Sequence, residues 1–258
     1  MRNSLLFCLF VVTLSGCKRL PEAPAKLEDL CAFLFEHYTD EDTGYLEQGL
    51  INLDVWLENN FQETQEGYFV DKMRRRGAEE LVGREVDFEN LVGVSSTYDI
   101  QHPLDDVMNV VLKHDQADVY STYESVERTY DPKPACFLAE TCEEITYKQD
   151  SVSNYPMNLR ADVTLEGQFR RVPFGDGTAI IRRIWMTRSE FNFGWLKLDE
   201  SFNLIVTLDK GDYTRRLESI WVVTKMGEAP VPEALAMQLT LDTIQEGGVQ
   251  LETYLDQL

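Results

Sequence analysis

The sequence predicts an α+β fold in which an acidic helical hairpin precedes an antiparallel sheet and a long helix follows it. Apolar side chains recur with helical spacing over residues 27–61, and from about residue 89 they alternate with a period of two. After Pro232 the helical spacing returns and continues to the C-terminus. Because helices and strands bury different faces, each change of period marks a change of element.

The composition is that of a folded domain. The chain has 258 residues, of which 43% are hydrophobic and 11% aromatic, and its mean hydropathy is -0.30. Disordered chains lack this apolar content, and a polytopic membrane protein would have a higher mean hydropathy. The formal net charge of -21 excludes a nucleic-acid partner, because binding phosphates requires a basic surface.

The N-terminus is predicted to be an export signal. Arg2 supplies the positive charge that begins such signals, and the apolar run of residues 5–14 is too short to span a bilayer as a helix. The run ends in Leu14-Ser15-Gly16-Cys17, which resembles the bacterial lipobox. The resemblance implies that residues 1–16 are a lipoprotein signal peptide and that Cys17 carries palmitate-type acyl chains. The alternative is a secretory signal that happens to contain a cysteine.

Lipid on Cys17 would anchor the mature chain to a membrane, because three acyl chains hold a protein there durably. Lys18 follows, whereas an Asp at that position retains many Gram-negative lipoproteins in the inner membrane. By resemblance, we expect an outer-membrane location facing the periplasm. Residues 17–26 contain two prolines and no apolar periodicity, which predicts a lipidated tether.

Residues 27–88 are predicted to form an acidic helical region. Its apolar spacing fits two helices joined by a turn over residues 39–44. Residues 27–66 contain eleven acidic side chains and no Lys or Arg, so the helices present a negative face. That face either docks a basic protein partner or is simply solvated. A short basic patch, residues 72–76, could neutralise it.

Three cysteines remain after Cys8 leaves with the signal and Cys17 is lipidated. Cys136 and Cys142 are close in sequence, and export permits a disulfide between them. Two reduced thiols are the alternative, and a metal site is disfavoured because further ligands are missing at usable spacing. Cys31 lies on the apolar stripe of the first helix, which favours a buried hydrophobic role.

The sheet elements follow from about residue 89. A strand over residues 92–100 leads through His102-Pro103 into a helix, because Pro suits a first helical turn. The clearest strand covers residues 159–170, where twelve alternating residues indicate an antiparallel sheet with one wet face. Further strands are predicted at residues 179–188, 195–208 and 215–226. In the final helix, Gly247-Gly248 predicts a kink.

The element order over residues 89–258 resembles the START-like (helix-grip, SRPBCC-type) superfamily. The most specific segment is Tyr98-Asp-Ile-Gln-His-Pro-Leu-Asp-Asp-Val107, continuing to Val111-Leu112 and Asp115. It looks like the first strand and helix of many such domains. The resemblance implies a curved antiparallel sheet wrapped around the long C-terminal helix, with a cavity between them. It implies a domain that binds or carries a hydrophobic small molecule or lipid.

Candidate ligand-binding residues are chosen from the strands. Arg182 and Arg183 are adjacent in one strand, so one of them must face the interior, and an inward Arg would pair with a carboxylate or an anionic head group. Aromatic side chains in or beside the strands would line an apolar pocket, although plain core is the commoner role for such residues. The predicted set is Arg182, Trp185, Trp195, Phe169 and Tyr98.

No catalytic residue, cofactor or metal is predicted. The three histidines are His37, His102 and His114, and no pair has metal-ligand spacing on one element. The mature chain contains no nucleophile elbow, phosphate-binding glycine loop or dinucleotide fingerprint. We therefore consider three functions, the favoured one first: ligand binding or transport, a non-enzymatic scaffold that uses the acidic helices, and an enzyme of the cyclase or hydratase kind.

Overall fold

The structure is a computed structural model that describes residues 22–155, 159–175 and 177–258. The predicted signal peptide, the lipidation of Cys17 and the start of the tether lie outside the described residues. Those predictions are therefore taken up again only as proposals.

Helices lie at both ends of the described chain and between the first strands. α1 covers Leu27–Glu36, and a short 3-10 turn over His37–Thr39 leads to α2, Gly44–Gln65. α3 covers Arg75–Val82 and ends at Gly83, whose φ of 68° is a conformation that favours glycine. α4 is Leu104–Val111, α5 is Pro134–Leu138 and α6 is Glu233–Leu255.

The strands of the described residues form one antiparallel sheet of nine members. They are β1 (Tyr68–Phe69), β2 (Val92–Ile100), β3 (Tyr123–Asp131), β4 (Glu144–Tyr155), β5 (Leu159–Phe174), β6 (Gly177–Phe191), β7 (Leu196–Asp209), β8 (Thr214–Met226) and β9 (Ala229–Pro230). The spatial order is β1-β2-β8-β7-β6-β5-β4-β3, and β9 pairs with β8. The fold class is confirmed: α+β, with a large curved antiparallel sheet and a long C-terminal helix.

The two faces of the sheet pack against different helices. We call the face toward α6 the inner face and the face toward α1 and α2 the outer face. Alternating side chains of the central strands divide between them, as a period of two requires. In β8, for example, Leu217 and Trp221 pack with the N-terminal helices, whereas Ile220 and Val222 pack with α6.

The outer face holds the larger hydrophobic core. α1 contributes Leu27, Leu30 and Phe35, all essentially inaccessible to water, and Phe35 packs edge-on against Trp221 with 5.7 Å between ring centroids. Cys31 is a buried free thiol in the same core, as expected from its place on the apolar stripe. The helices of residues 27–88 thus share one core with the sheet.

The acidic helices are partly neutralised from within the chain. Lys210, at the turn between β7 and β8, lies 2.6 Å from Asp54 and 3.1 Å from Glu58 of α2, and Arg215 lies 2.9 Å from Glu58. From the basic patch of residues 72–76, Arg74 pairs with an acid of these helices, Glu36, at 2.9 Å. The main neutralising charges therefore come from the β7–β8 hairpin, which the sequence pattern did not indicate.

The predicted kink in the last helix is wrong. α6 runs without interruption from Glu233 to Leu255. Gly248 instead allows the ring of Tyr98 in β2 to pack closely against α6, because a Cβ at position 248 would lie 3.0 Å from that ring. Glycine can be required by a neighbouring ring as well as by a bend.

No helix of the described residues is long and apolar enough to cross a membrane.

Candidate ligand-binding site

Two adjacent arginines of β6 enter opposite faces of the sheet. Arg182 is 7% exposed and Arg183 is 5% exposed, so both guanidinium groups are buried. Arg182 faces inward, where its Cζ lies 4.9 Å from the ring centroid of Phe169. Arg183 faces outward and stacks on Tyr38 at 4.7 Å. The structure therefore places Arg182 and Phe169 together on the inner face, as the predicted site requires.

Tyr147 is the polar partner of Arg182. Its hydroxyl accepts a hydrogen bond from Arg182 Nε at 3.0 Å and a second, shorter one from Nη2. The ring lies opposite Gly167 of β5, where a Cβ would come within 2.4 Å of it. Glycine at that position is therefore what allows the ring to lie against β5. Burial raises the pKa of Tyr147, and the charges of Arg182 and Arg128 oppose that shift.

Arg128 lies on the other side of Tyr147. Its Cζ is 5.4 Å from the Tyr147 ring, and the Cζ of Arg182 is 5.0 Å from the same ring. Arg128 Nε donates to Gln149 Oε1 at 2.6 Å, and Nη1 donates to the carbonyl of Val111 at 2.8 Å. Two buried cations thus flank one neutral phenol.

A third buried arginine, Arg216 in β8, lies on the same inner face. Its guanidinium is 3.9 Å from Glu218 and its Cζ is 6.0 Å from the ring of Tyr98. Within the described part of the chain, Arg216 Nε has no hydrogen-bond partner. Tyr98, which belongs to the predicted set, donates a long hydrogen bond of 3.4 Å to Glu218 and contacts α6 at Gly248.

The surroundings of the arginines combine positive charge with apolar surface. Arg128, Arg182 and Arg216 are each more than nine-tenths buried, and burying a charge without an equal and opposite one is unfavourable. On the same face, Val163 and Leu165 of β5 remain only partly buried. Such an arrangement can bind a molecule with an anionic group at one end and an apolar body at the other.

The prediction that Trp185 and Trp195 line the interior is wrong. Trp185 is an odd number of residues from Arg182 in the same strand, so it points to the outer face, where it packs with Phe202 in the outer core. Trp195 precedes β7 in a turn and is 47% exposed, stacked on Phe193. A turn residue cannot reach the interior of the sheet from there.

Cys136 and Cys142 are joined by a disulfide at the rim of the inner core. Between them Phe137 is fully buried, with its ring centroid 6.3 Å from that of Phe169. The bridged segment therefore helps to close the end of the inner face near Arg182.

One group among the described residues brings three metal-ligand types together: His102, Glu252 and Asp256, with ligand atoms within 4.8 Å of one another. Each already has a protein partner. Glu252 accepts from the backbone N–H of Gln101 with both oxygens, at 3.0 and 3.1 Å, and His102 lies 3.1 Å from Asp256. These contacts fasten the last turns of α6 to the chain between β2 and α4.

Sequence reasoning missed Tyr147, Arg128 and Arg216. Tyr147 lies in β4, a strand for which no pattern was identified after the Cys136–Cys142 segment. Arg216 lies in the strand predicted at residues 215–226, and Arg128 lies in β3. The sequence alone did not show which face of the sheet either side chain occupies. The alternation of β3 could have indicated that Arg128 is buried, because Val126 and Arg128 lie on one face of the strand and the exposed Glu127 lies on the other.

No family model matches the chain, and no curated protein matches it. Solved structures do: a STAR-related lipid transfer protein from Xanthomonas axonopodis is 15% identical, covers 67% of this chain and 90% of its own, and has a TM-score of 0.46.

Two further structures are comparably similar. A START superfamily protein from Mycobacterium smegmatis is 13% identical over 64% of this chain and 97% of its own, with a TM-score of 0.42. The Zhui aromatase/cyclase from Streptomyces sp. R1128 is 11% identical over 64% and 91%, with a TM-score of 0.41. At TM-scores of 0.41 to 0.46, each of these similarities is a partial likeness of fold.

Proposed function

We propose that this protein binds an amphipathic small molecule or lipid on the inner face of its sheet, with an anionic head group at the buried arginines. The observation that carries the proposal is the pair Arg182 and Arg128 on either side of Tyr147. Two buried cations beside a phenol, next to partly exposed apolar side chains, favour a ligand that supplies negative charge and apolar surface together.

The roles of the residues follow from their contacts. Arg182 and Arg128 would attract the head group, and Tyr147 would orient Arg182 by accepting from it. Arg216 has a free Nε donor and would add a contact at the α6 end of the face. Val163, Leu165 and Phe169 would contact the apolar body. In this proposal the protein holds the molecule by these contacts, and no chemical step is assigned to these residues.

The decisive test compares a charged ligand with its neutral twin. Cis-parinaric acid and its methyl ester share one apolar chain and differ in the carboxylate, and both fluoresce when bound in an apolar site. We expect the acid to bind roughly tenfold more tightly than the ester, as a charge-assisted contact requires. Equal affinity for both probes, or no binding of either, would contradict the proposal.

Substitutions test whether the preference for the acid over the ester arises at the inner face. Arg182→Met should abolish the preference for the acid, and Arg182→Lys should retain part of it, because Lys keeps the charge and loses the paired donors. Arg76→Gln is the matched control, since Arg76 is exposed and pairs with Glu80 on α3. Far-UV circular dichroism of each variant establishes that it has folded before its affinity is compared.

We further propose that the protein is a lipoprotein of the outer membrane that faces the periplasm, anchored through Cys17. The supporting observations are the Leu14-Ser15-Gly16-Cys17 segment and Lys18 after it. The full chain should incorporate labelled palmitate and enter the detergent phase on phase separation, and Cys17→Ser should do neither. Loss of residues 1–16 by cleavage without acylation would refute the anchor while leaving the ligand site intact.

A further inference from the structure

A groove of about 510 Å³ lies on the outer face of the sheet, beyond the part that α1 and α2 cover. Two cross-strand rows of side chains form it. Thr129, Lys148, Glu166 and Trp185 make one row, and Asp131, Thr146 and Gln168 make the next. The row of Gln168 continues into Arg183, its partner on β6. The groove therefore ends at the arginine that faces away from the inner site.

Three buried side chains with unpartnered donors lie near this end of the groove: the Cζ of Arg183 is 4.7 Å from the ring centroid of Tyr38 and 5.8 Å from the ring of Trp185, which lines the groove. The donors are the hydroxyl of Tyr38, the Nε–H of Arg183 and the indole Nε1–H of Trp185, and the three residues are 0%, 5% and 7% exposed. Within the described ranges of the chain, none of these atoms has a hydrogen-bond partner. An unpartnered buried donor is costly, and native proteins rarely keep one. Three together indicate that an acceptor from outside the chain belongs there.

The remaining contacts fix how Arg183 is presented. Nη2 donates to Gln168 Oε1 at 2.8 Å and Nη1 donates to the carbonyl of Phe35 at 3.3 Å. The guanidinium stacks on Tyr38 and lies 5.8 Å from the ring of Trp185. Chain groups thus hold both terminal nitrogens, and the Nε edge is left without a partner.

We propose that the groove is a second binding site, which takes a small organic carboxylate bearing further hydrogen-bonding groups. The carboxylate accepts hydrogen bonds from Tyr38, Arg183 and Trp185, three donors of which one is a cation. The rest of the molecule lies over β3, β4 and β5, where Thr129, Lys148 and Glu166 offer donors and acceptors.

Charge and burial support an anion over a neutral acceptor. Burial lowers the pKa of Arg183, which shows that its charge is poorly compensated by the chain. Glu144 is the carboxylate that interacts electrostatically with both Arg183 and Tyr38. It is exposed, so water weakens its interaction with the buried guanidinium. A bound carboxylate would supply the missing charge directly at the Nε edge.

The test observes the proposed donor itself. The protein has four tryptophans, so a nitrogen-15 spectrum of the full chain in detergent shows a small set of indole N–H signals, and Trp185→Phe identifies one of them. Succinate and glutamate are the probes, and succinamide is the neutral control at matched ionic strength. We expect saturable movement of the Trp185 signal with succinate or glutamate and none with succinamide.

Two variants report through different readouts. Arg183→Gln should weaken carboxylate binding at least about tenfold, and Arg76→Gln should leave it unchanged. Because Arg183→Gln can also disturb folding, Trp185→Phe provides a second test. Its carboxylate binding, measured by fluorescence competition, should weaken roughly three- to tenfold. Urea unfolding of ligand-free Trp185→Phe checks that this variant still folds, because the smaller ring removes an unpartnered donor but also leaves a small cavity in the outer core.

The proposal is overturned if neither carboxylate moves the Trp185 signal saturably, if succinamide moves it equally, or if Arg183→Gln binds as the original chain does. A Trp185 indole that exchanges magnetisation with an ordered water and ignores both carboxylates would also overturn it. None of these results bears on the inner site, whose test uses fatty-acid probes and Arg182 variants.

Discussion

The position of the Tyr147 ring depends on residue 167 being glycine, whose side chain is a hydrogen atom. The Tyr147 ring is 4% exposed, and it occupies the space in which a side chain at Gly167 would lie. Arg182 in turn depends on the Tyr147 hydroxyl for two hydrogen bonds. The geometry of the inner site is therefore set by a residue that contacts no ligand.

We expect Gly167→Ala to reduce the free energy of unfolding by about 1–3 kcal/mol, the usual cost of overpacking a buried site. The same variant should lose the preference for a fatty acid over its methyl ester, because the displaced ring no longer orients Arg182. Urea unfolding and the probe comparison measure the two effects. Gly247→Ala is the matched control, because a Cβ there meets nothing within 4 Å and a helical Ala is about 0.5–1 kcal/mol better than Gly. If Gly167→Ala proves as stable as the original chain, the packing argument is wrong.

The residues show where prediction from sequence succeeds. Arg182 and Phe169 could be placed inside because β5 and β6 alternate clearly and their register is regular there. Trp185 could not share a face with Arg182 under any register, so the error lay in applying the alternation incompletely. Tyr147 and Arg128 could not be identified as site residues because they contact each other across β3 and β4. The pairing of two strands cannot be deduced from the sequence of either one.

Helix α2 is tied to the β7–β8 hairpin through Glu58. This carboxylate accepts from both Lys210 and Arg215, and the hydrogen bond from Lys210, followed by the charges of the two cations, lowers its pKa below the ordinary value of 4.5. A lowered carboxyl pKa stabilises the fold above the ordinary value, and the contribution is lost as the pH falls through the lowered value.

Glu58→Gln should therefore lower the melting temperature slightly at pH 7, and the difference from the original chain should vanish at low pH. The free-energy effect should stay below about 1 kcal/mol, because half of the Glu58 side chain is exposed and water screens the pairs. Calorimetry at several pH values measures it. Glu63→Gln, an exposed glutamate of the same helix, should show no such pH-dependent difference. A loss that persists undiminished at acidic pH would count against the ion pairs.

At the level of elements, most of the long ones were predicted. The two N-terminal helices, α6 and the strands from β5 to β8 all follow from periodicity over ten or more residues. β4 is the exception, because it has twelve residues and no pattern in the sequence identified it. β1, β9 and α5 have two to five residues, too few to display a period. The face of the sheet on which the acidic hairpin packs could not be predicted, because several strands are apolar on both faces.

The whole molecule has two cores that share one sheet. Residues 89–258 were predicted to form a START-like domain, and both that assignment and its boundary stay predictions. The outer face of this segment, however, includes Phe202, Trp221 and Leu217, which are buried in one core with the N-terminal helices, where Phe35 packs against the rings of Phe202 and Trp221. Burial of such side chains contributes about 1.5–3 kcal/mol each.

A chain shortened to residues 89–258 should consequently be insoluble or bind the dye ANS strongly, whereas the longer chain from residue 22 should unfold in one cooperative transition. Expression of both lengths, followed by calorimetry and dye binding, distinguishes the cases. A shortened chain that melts cooperatively and binds no dye would show that residues 27–88 only decorate an independent domain.

The sheet ends at β3, where one backbone edge has no neighbouring strand among residues 22–155, 159–175 and 177–258. His114 occupies part of that edge: its carbonyl accepts from the N–H of Arg128 at 3.2 Å, and its ring lies 2.7 Å from the Arg128 carbonyl. One side chain and its own backbone thereby satisfy both groups of an edge residue. An open edge is a template on which identical chains stack into fibrils. This single residue therefore works against self-assembly at the strand that carries Arg128. That protection would matter most under the proposed lipid anchor, which would concentrate the chains on a membrane surface.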